Sequence, residues 1–150
     1  MTTELNLADV LEREPELAML VAQPPIAFHR SFVDVTGSAT TALLLSICIE
    51  QSESSLSPDG WFSASAQDWE TRSGLSRKEQ ATARKNLKAI HLLEERRSSF
   101  PATLEVRIRF DRLSSLLLAS ARKRSQQMRE RLNAGAGAGL AANLTPTLPH

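Results

Sequence analysis

Apolar positions recur at two different periods along the chain, and the change of period divides it into segments. Residues 5–21 set Leu5, Val10, Leu11, Leu17, Leu20 and Val21 among acidic neighbours at the spacing of an amphipathic helix. Pro15 lacks a backbone donor and predicts two short helices there, and Pro24-Pro25 ends the segment. Residues 26–35 mix apolar and polar positions without a clear period. Thr36-Gly37-Ser38 offers a helix start, and residues 39–51 follow as an apolar core helix. Ser, Glu and Pro then make a polar loop over 52–59.

Pro58-Asp59-Gly60 is a turn leading into a short strand, Gly60-Trp61-Phe62-Ser63. The helical period returns over 65–73, with Ser65 as N-cap and Asp68 supporting the first turn. Gly74 stands where a helix end favours a left-handed residue. Ser76-Arg77-Lys78-Glu79 is a capping box that opens a helix running to about Ile90. Helix, glycine turn and capped helix at this spacing meet the requirements of a helix-turn-helix.

The period then drops to two. Residues 92–98 and 103–110 are strand-like, and in the second Leu104, Val106, Ile108 and Phe110 alternate with Glu105, Arg107 and Arg109. Joined by Ser99-Phe100-Pro101-Ala102, they form a hairpin where a winged helix carries its wing. Asp111 is expected to cap a last helix over 112–133, which repeats Leu113, Leu116, Leu117, Ala121, Met128 and Leu132 at helical spacing. Residues 134–150 alternate Ala and Gly and then turn Pro-rich; with little to bury, they read as a disordered tail. The expected fold is mostly α with a small β-hairpin, an α+β winged helix-turn-helix with extra terminal helices. Its parts are an acidic helical arm over 1–25, a winged-helix domain over 26–118, a basic helix extension over 119–133 and the tail over 134–150.

Composition narrows the class. The 150 residues suffice for one domain, and 41% hydrophobic with 23% charged residues fits a soluble globular chain. The apolar run at 42–49 is broken by Ser46, and Met1-Thr-Thr-Glu-Leu has no basic start or apolar centre, so neither a bilayer span nor a signal peptide is expected. Cys48 is the single cysteine, which excludes an internal disulfide and fits a reducing cytoplasm. The net charge of +1 conceals a division. Residues 1–75 hold 3 Lys+Arg against 11 Asp+Glu, a net of −8, whereas residues 76–150 hold 15 against 6, a net of +9. The second half is suited to a polyanion, or the two halves attract each other.

The helix over 76–90 sharpens that choice. At roughly 100° per residue, Leu87 and Ile90 fall within about 40° of Ala83, and the three define a core face. Arg77, Lys78, Ala81, Arg84, Lys85 and Lys88 lie about 100° or more away, and every charge on that arc is basic. A helix in the major groove needs long donors and no carboxylates towards the phosphates. Ser76, Arg77, Lys78, Ala81 and Arg84, in the first turns, are placed for contact and readout, with the Ala81 methyl suited to close approach or to a thymine. Lys85 and Lys88, with Arg96 and Arg97 on the wing, are placed for the DNA backbone. A solvated surface helix would show the same basic face, so that alternative stands beside it.

These stretches carry a resemblance. Gly37-Ser38-Ala39-Thr40-Thr41-Ala42-Leu43-Leu44-Leu45-Ser46, Asp59-Gly60-Trp61-Phe62, Trp69-Glu70 and Thr71-Arg72-Ser73-Gly74-Leu75-Ser76-Arg77-Lys78-Glu79-Gln80-Ala81-Thr82-Ala83-Arg84-Lys85-Asn86-Leu87 resemble winged-helix proteins of phages, plasmids and integrated elements, often described as replication-initiator-like or helix-turn-helix proteins. Ile90-His91-Leu92-Leu93-Glu94-Glu95-Arg96-Arg97, with Pro101-Ala102-Thr103-Leu104 and Arg107-Ile108, is similar to their helix end, wing and last strand. The resemblance covers about residues 28–118. It implies double-stranded DNA as partner and a role as transcription regulator or replication-initiation factor, without cofactor or catalysis. One departure is Ile47-Cys48-Ile49-Glu50-Gln51, which lacks the aromatic residue of that family's segment and leaves open what packs there.

The remaining residues do not add chemistry. His29, His91 and His150 are scattered without a second ligand at metal spacing, so no metal site is expected. No phosphate-binding glycine loop and no nucleophile-base pattern occurs, and an enzyme is not expected. Trp61, Phe62 and Trp69 read as packing rather than base-stacking groups, Cys48 as a buried small hydrophobe, and Glu94-Glu95 as solvated surface. Arg122-Lys123-Arg124, Arg129 and Arg131 make the last helix basic, opposite in sign to Asp9, Glu12, Glu14 and Glu16 of the arm. Three uses remain open: a longer DNA footprint, a homodimer through the N- and C-terminal helices, or an acidic arm that screens the basic domain. The competing class is a non-catalytic module whose winged helix docks a replication or conjugation protein.

Overall fold

The computed structural model describes residues 6–99 and 101–144, with side chains through residue 136. Pro15 divides the N-terminal segment as expected: α1 (Leu7–Arg13) ends at Glu14, and α2 (Pro15–Val21) begins on the proline, where the missing donor has no partner to lose. Asn6 caps α1 by accepting from the Asp9 N–H at 2.9 Å. Among the described residues neither helix buries a side chain. The stretch without a period folds as α3 (Arg30–Thr36), pinned by buried Phe32 and ended by Gly37 at φ 76°, a left-handed conformation open to glycine.

Ser38 caps α4 (Ala39–Ser54), which extends past Gln51 to the Ser54 hydroxyl donating back to the Glu50 carbonyl. Leu44, Leu45, Ile47 and Cys48 are at most 1% exposed, because α4 is enclosed by α3, by α5 (Ala66–Ser73), by α6 (Arg77–Ala89) and by the sheet. Each such leucine contributes about 1.5–3 kcal/mol of burial. Trp69 of α5, 1% exposed, donates its indole N–H to Gln51 Oε1 at 2.8 Å. That aromatic ring, brought from α5, supplies packing beside the segment that carries none of its own.

The sheet has three antiparallel strands in the order β1 (Phe62–Ala64), β3 (Ala102–Ile108), β2 (Leu93–Ser99). Phe62 pairs with Val106 on one side of β3 and Leu93 with Ile108 on the other. The succession α4–β1–α5–α6–β2–β3 is a winged-helix-like α+β fold, with the hairpin of β2 and β3 as wing.

Two expectations at the C-terminal end change. Phe110 is not the last inward strand position: it begins α7 (Phe110–Leu144) and is 44% exposed, and Asp111 lies in the first turn rather than capping it. The helix also runs past residue 133 into the stretch read as a tail. Extending an existing helix needs no new nucleus, so the stretch continues α7 although its glycines disfavour helix. Residues 145–150 of that expected tail, like Phe100 of the wing tip, lie outside the described residues.

Candidate nucleic-acid interface

Local chemistry sets the helix pair. Ser65 accepts from the Asp68 N–H, and Gly74 closes α5 at φ 77°. The capping box forms in full: Ser76 Oγ accepts from the Glu79 N–H at 3.2 Å and Glu79 Oε1 from the Ser76 N–H at 3.1 Å, which holds that carboxyl below its ordinary range. Gln80, 2% exposed, donates from Nε2 to the Ala66 carbonyl at 2.9 Å and the Leu75 carbonyl at 3.0 Å, bracing α6 against the start of α5 and the turn. Asn86 Nδ2 donates to Thr41 Oγ1 of α4 at 3.1 Å. The sequence reading passed over both side chains, although each lies about 60° from Ala83, at the margin of the core face.

At its far end α6 closes in a Schellman motif. Leu92 N–H donates to the Leu87 carbonyl at 2.9 Å and His91 N–H to the Lys88 carbonyl at 3.1 Å, with His91 left-handed at φ 60°. This motif turns the chain directly into β2.

Arg77, Lys78, Ala81 and Lys85 are exposed along one side of α6, while Ala83 and Leu87 are buried on the other. Among the described residues, Arg77, Lys78 and Lys85 take part in no ion pair. Arg84 and Lys88 are differently placed. Arg84 Nε lies 2.6 Å from Glu95 Oε1, and Lys88 Nζ lies 3.0 Å from Oε2 of the same carboxylate on β2. Burial raises the Glu95 pKa, but the hydrogen bonds from Arg84 and Lys88 outweigh it, so the group titrates below its ordinary value. Glu95 is thus no solvated surface residue; it ties the helix to the wing.

Pleating separates the two wing arginines. Side chains alternate faces along a strand, so Glu95 and Arg97 share the face that carries Leu93 and Val106 and looks towards α6. Arg96 points to the opposite face, where its Nε meets Glu105 Oε2 at 2.6 Å and its guanidinium stacks 4.2 Å from the Trp61 ring centre. Arg107 covers the same ring at 4.8 Å and bonds Glu94 at 2.7 Å. Arg109 bridges Glu94 and Asp111, holding the Asp111 carboxyl down to about 2. The outer face of the sheet is therefore neutralised within itself, with half-buried Trp61 under two guanidinium groups. Phe62 and Trp69 are buried, as packing groups should be.

The open cations that share a side are Arg77, Lys78 and Lys85 of α6, with Arg97 of the wing. Buried Cys48 has its thiol pushed up to about 12 by desolvation. Among the described residues no group of three or more His, Cys, Asp and Glu side chains could hold a metal, and no single helix is long and apolar enough to cross a membrane.

No protein-family model and no curated protein matches the sequence. A solved structure described as the N-terminal domain of a DNA-binding protein is similar over 73% of this chain and 84% of its own, at 10% sequence identity and a TM-score of 0.47. So loose a likeness carries no functional argument, and the functional conclusion rests on the residues above.

Proposed function

We propose that the chain binds double-stranded DNA sequence-specifically through α6 in the major groove, as a transcription regulator or replication-initiation factor of a mobile element. The observation that carries this reading is the open face of α6, where Arg77, Lys78 and Lys85 stand exposed around Ala81 without a carboxylate partner. The mobile-element context rests on the resemblance of residues 28–118. The role needs no catalytic group or cofactor.

Within the proposed footprint, Ser76 caps α6 and places its N-terminus, and Arg77 and Lys78 follow in the first turn, where base edges are reached. Arg77 has the fork that spans two guanine acceptors. Ala81 lets the helix approach closely, and Lys85 and Arg97 meet phosphates. Arg84 and Lys88 serve first as braces through Glu95, and Arg96 reaches a phosphate only by leaving Glu105. The test compares two variants on cognate and random duplexes. Arg77→Ala is expected to lower the ratio of the two affinities, by about 1–3 kcal/mol at the base it reads. Lys85→Ala should weaken both duplexes about equally and reduce the salt slope by about 0.9. Two variants that bind like wild type would remove α6 from the interface.

A further inference from the structure

Two surfaces in this fold are largely uncovered, and their chemistry is complementary. In α2, Leu17, Met19, Leu20 and Val21 are 41%, 76%, 64% and 56% exposed. Leu17, Leu20 and Val21 fall at i, i+3 and i+4, on one face. Two seven-residue helices are far below the dozen or so residues an isolated helix needs in water, so this arm has reason to be covered. Arg72 holds its root by donating to the Pro24 carbonyl at 2.5 Å and the Pro25 carbonyl at 3.3 Å.

The second surface is the outer half of α7. Its first turns pack through Leu113, Leu116 and Leu117, but every residue over 121–136 is exposed. Sixteen helical residues project about 24 Å. Leu118, Ala121, Ser125, Met128 and Leu132 follow one another at steps of three and four, which is the spacing of a coiled-coil seam. Leu118, Met128 and Leu132 are 51%, 65% and 65% exposed. With Leu118 as the first seam position, Arg122, Arg124, Arg129 and Arg131 all fall on the flanks of that seam. A second α7 laid parallel along it would set arginine against arginine, so the seam is built for an acidic partner rather than for its own like.

Asp9, Glu12, Glu14 and Glu16 supply that charge beside exposed apolar side chains. Over residues 6–23 the arm carries four acids against Arg13, and over 121–136 α7 carries five bases against Glu130. In the fold of one chain the two surfaces form no ion pair among the described residues; Arg124 instead bonds Asp34 of α3. We propose that α1–α2 of one copy docks along the outer half of α7 of a second copy, reciprocally, making a homodimer. An apolar seam between the arginines favours this acidic, amphipathic occupant over a nucleic acid, which would use the charges and leave Met128 and Leu132 uncovered.

The test is sedimentation velocity on the full chain with two charge-reversed variants. One carries Glu12→Lys, Glu14→Lys and Glu16→Lys; the other carries Arg122→Glu, Arg129→Glu and Arg131→Glu. Wild type should sediment as a dimer that weakens as salt rises, and each variant alone as a monomer. Their equimolar mixture should dimerise again, because each reversed surface then meets its opposite on the other copy. A wild type that stays monomeric throughout the concentration range overturns the proposal. So does a mixture that stays monomeric, which is the outcome if the arm folds back on its own α7 or if α7 serves only DNA. Should a triple variant fail to fold, the wild-type dimer decides the matter, since indifference to salt removes the charge pairing.

Discussion

Replacing Glu95 by Gln is expected to weaken the fold and tighten DNA binding at the same time. The carboxylate, with its side chain 15% exposed, is shared by Arg84 at 2.6 Å and Lys88 at 3.0 Å. Two unit charges about 4 Å apart attract by about 4 kcal/mol at the dielectric effective near a protein surface. Desolvation and side-chain ordering cancel most of that. The lysine is 46% exposed, so its pair is worth about 0.5 kcal/mol. The charged hydrogen bond to Arg84 is worth about 1.5–3 kcal/mol, part of which a glutamine oxygen retains. The net loss is about 1–2 kcal/mol, or roughly 3–6 °C in Tm for a chain of this size. For DNA the sign reverses, because two cations beside the open face of α6 lose their internal partner. Each new phosphate contact steepens the slope of log K against log salt by about 0.9 and adds close to tenfold at 0.1 M salt. Random-duplex affinity should therefore rise roughly ten- to sixty-fold at 0.1 M with a slope steeper by about 1–2. Calorimetry and an anisotropy salt series on the same preparations read both quantities. An E95Q protein whose affinity falls together with its stability, or whose slope is unchanged, would refute the idea that Glu95 competes with phosphate.

Three further outcomes follow from the same geometry. Cys48, fully buried with its thiol pushed up to about 12, should not react with a disulfide reagent in the native protein and should react once urea unfolds it. His91→Gly should raise the urea midpoint, since a side chain at φ 60° costs about 1 kcal/mol that glycine avoids in part; a lower midpoint would contradict the assignment of strain there. Glu79, Glu94 and Glu95 all titrate below their ordinary 4.5 when folded, so their stabilisation is complete above that pH and is lost as pH falls through the folded values. Tm should therefore decline below about pH 4.5 and decline less steeply in E95Q; a Tm that climbs on acidification would reverse the sign of these pairings.

Much of the architecture was legible because its determinants are local. Ser38, Ser65 and Ser76 cap helices through atoms three residues away, and Gly74 ends α5 through its own φ, so a single strand of sequence carries them. The core face of α6 was legible from period alone. Features that depend on tertiary neighbours were not. Helix α3 is held by Phe32 against α4 and has no period of its own to announce it. Glu94 and Glu95 sit beside Arg96 and Arg97 in sequence, yet their partners are Arg107 and Arg109 in one case and Arg84 and Lys88 in the other. The separation of Arg96 from Arg97 follows from strand pleating, a rule the sequence supplies once the strand is drawn and its inward face is known. Residues 134–144 continue α7 because lengthening a helix that already exists needs no new nucleus, which the lack of burial in that stretch does not reveal.

The central claim is that the open face of α6 binds duplex DNA. Fluorescence anisotropy of the full chain on labelled random duplex, and on duplex from around its own gene, tests it at two salt concentrations. Binding at low salt is expected, tighter on the local duplex, with a slope of at least about −1.8 if Lys85 and Arg97 each displace a counterion. Absence of binding to either duplex at low salt would contradict the claim and leave the basic face of α6 to a protein partner.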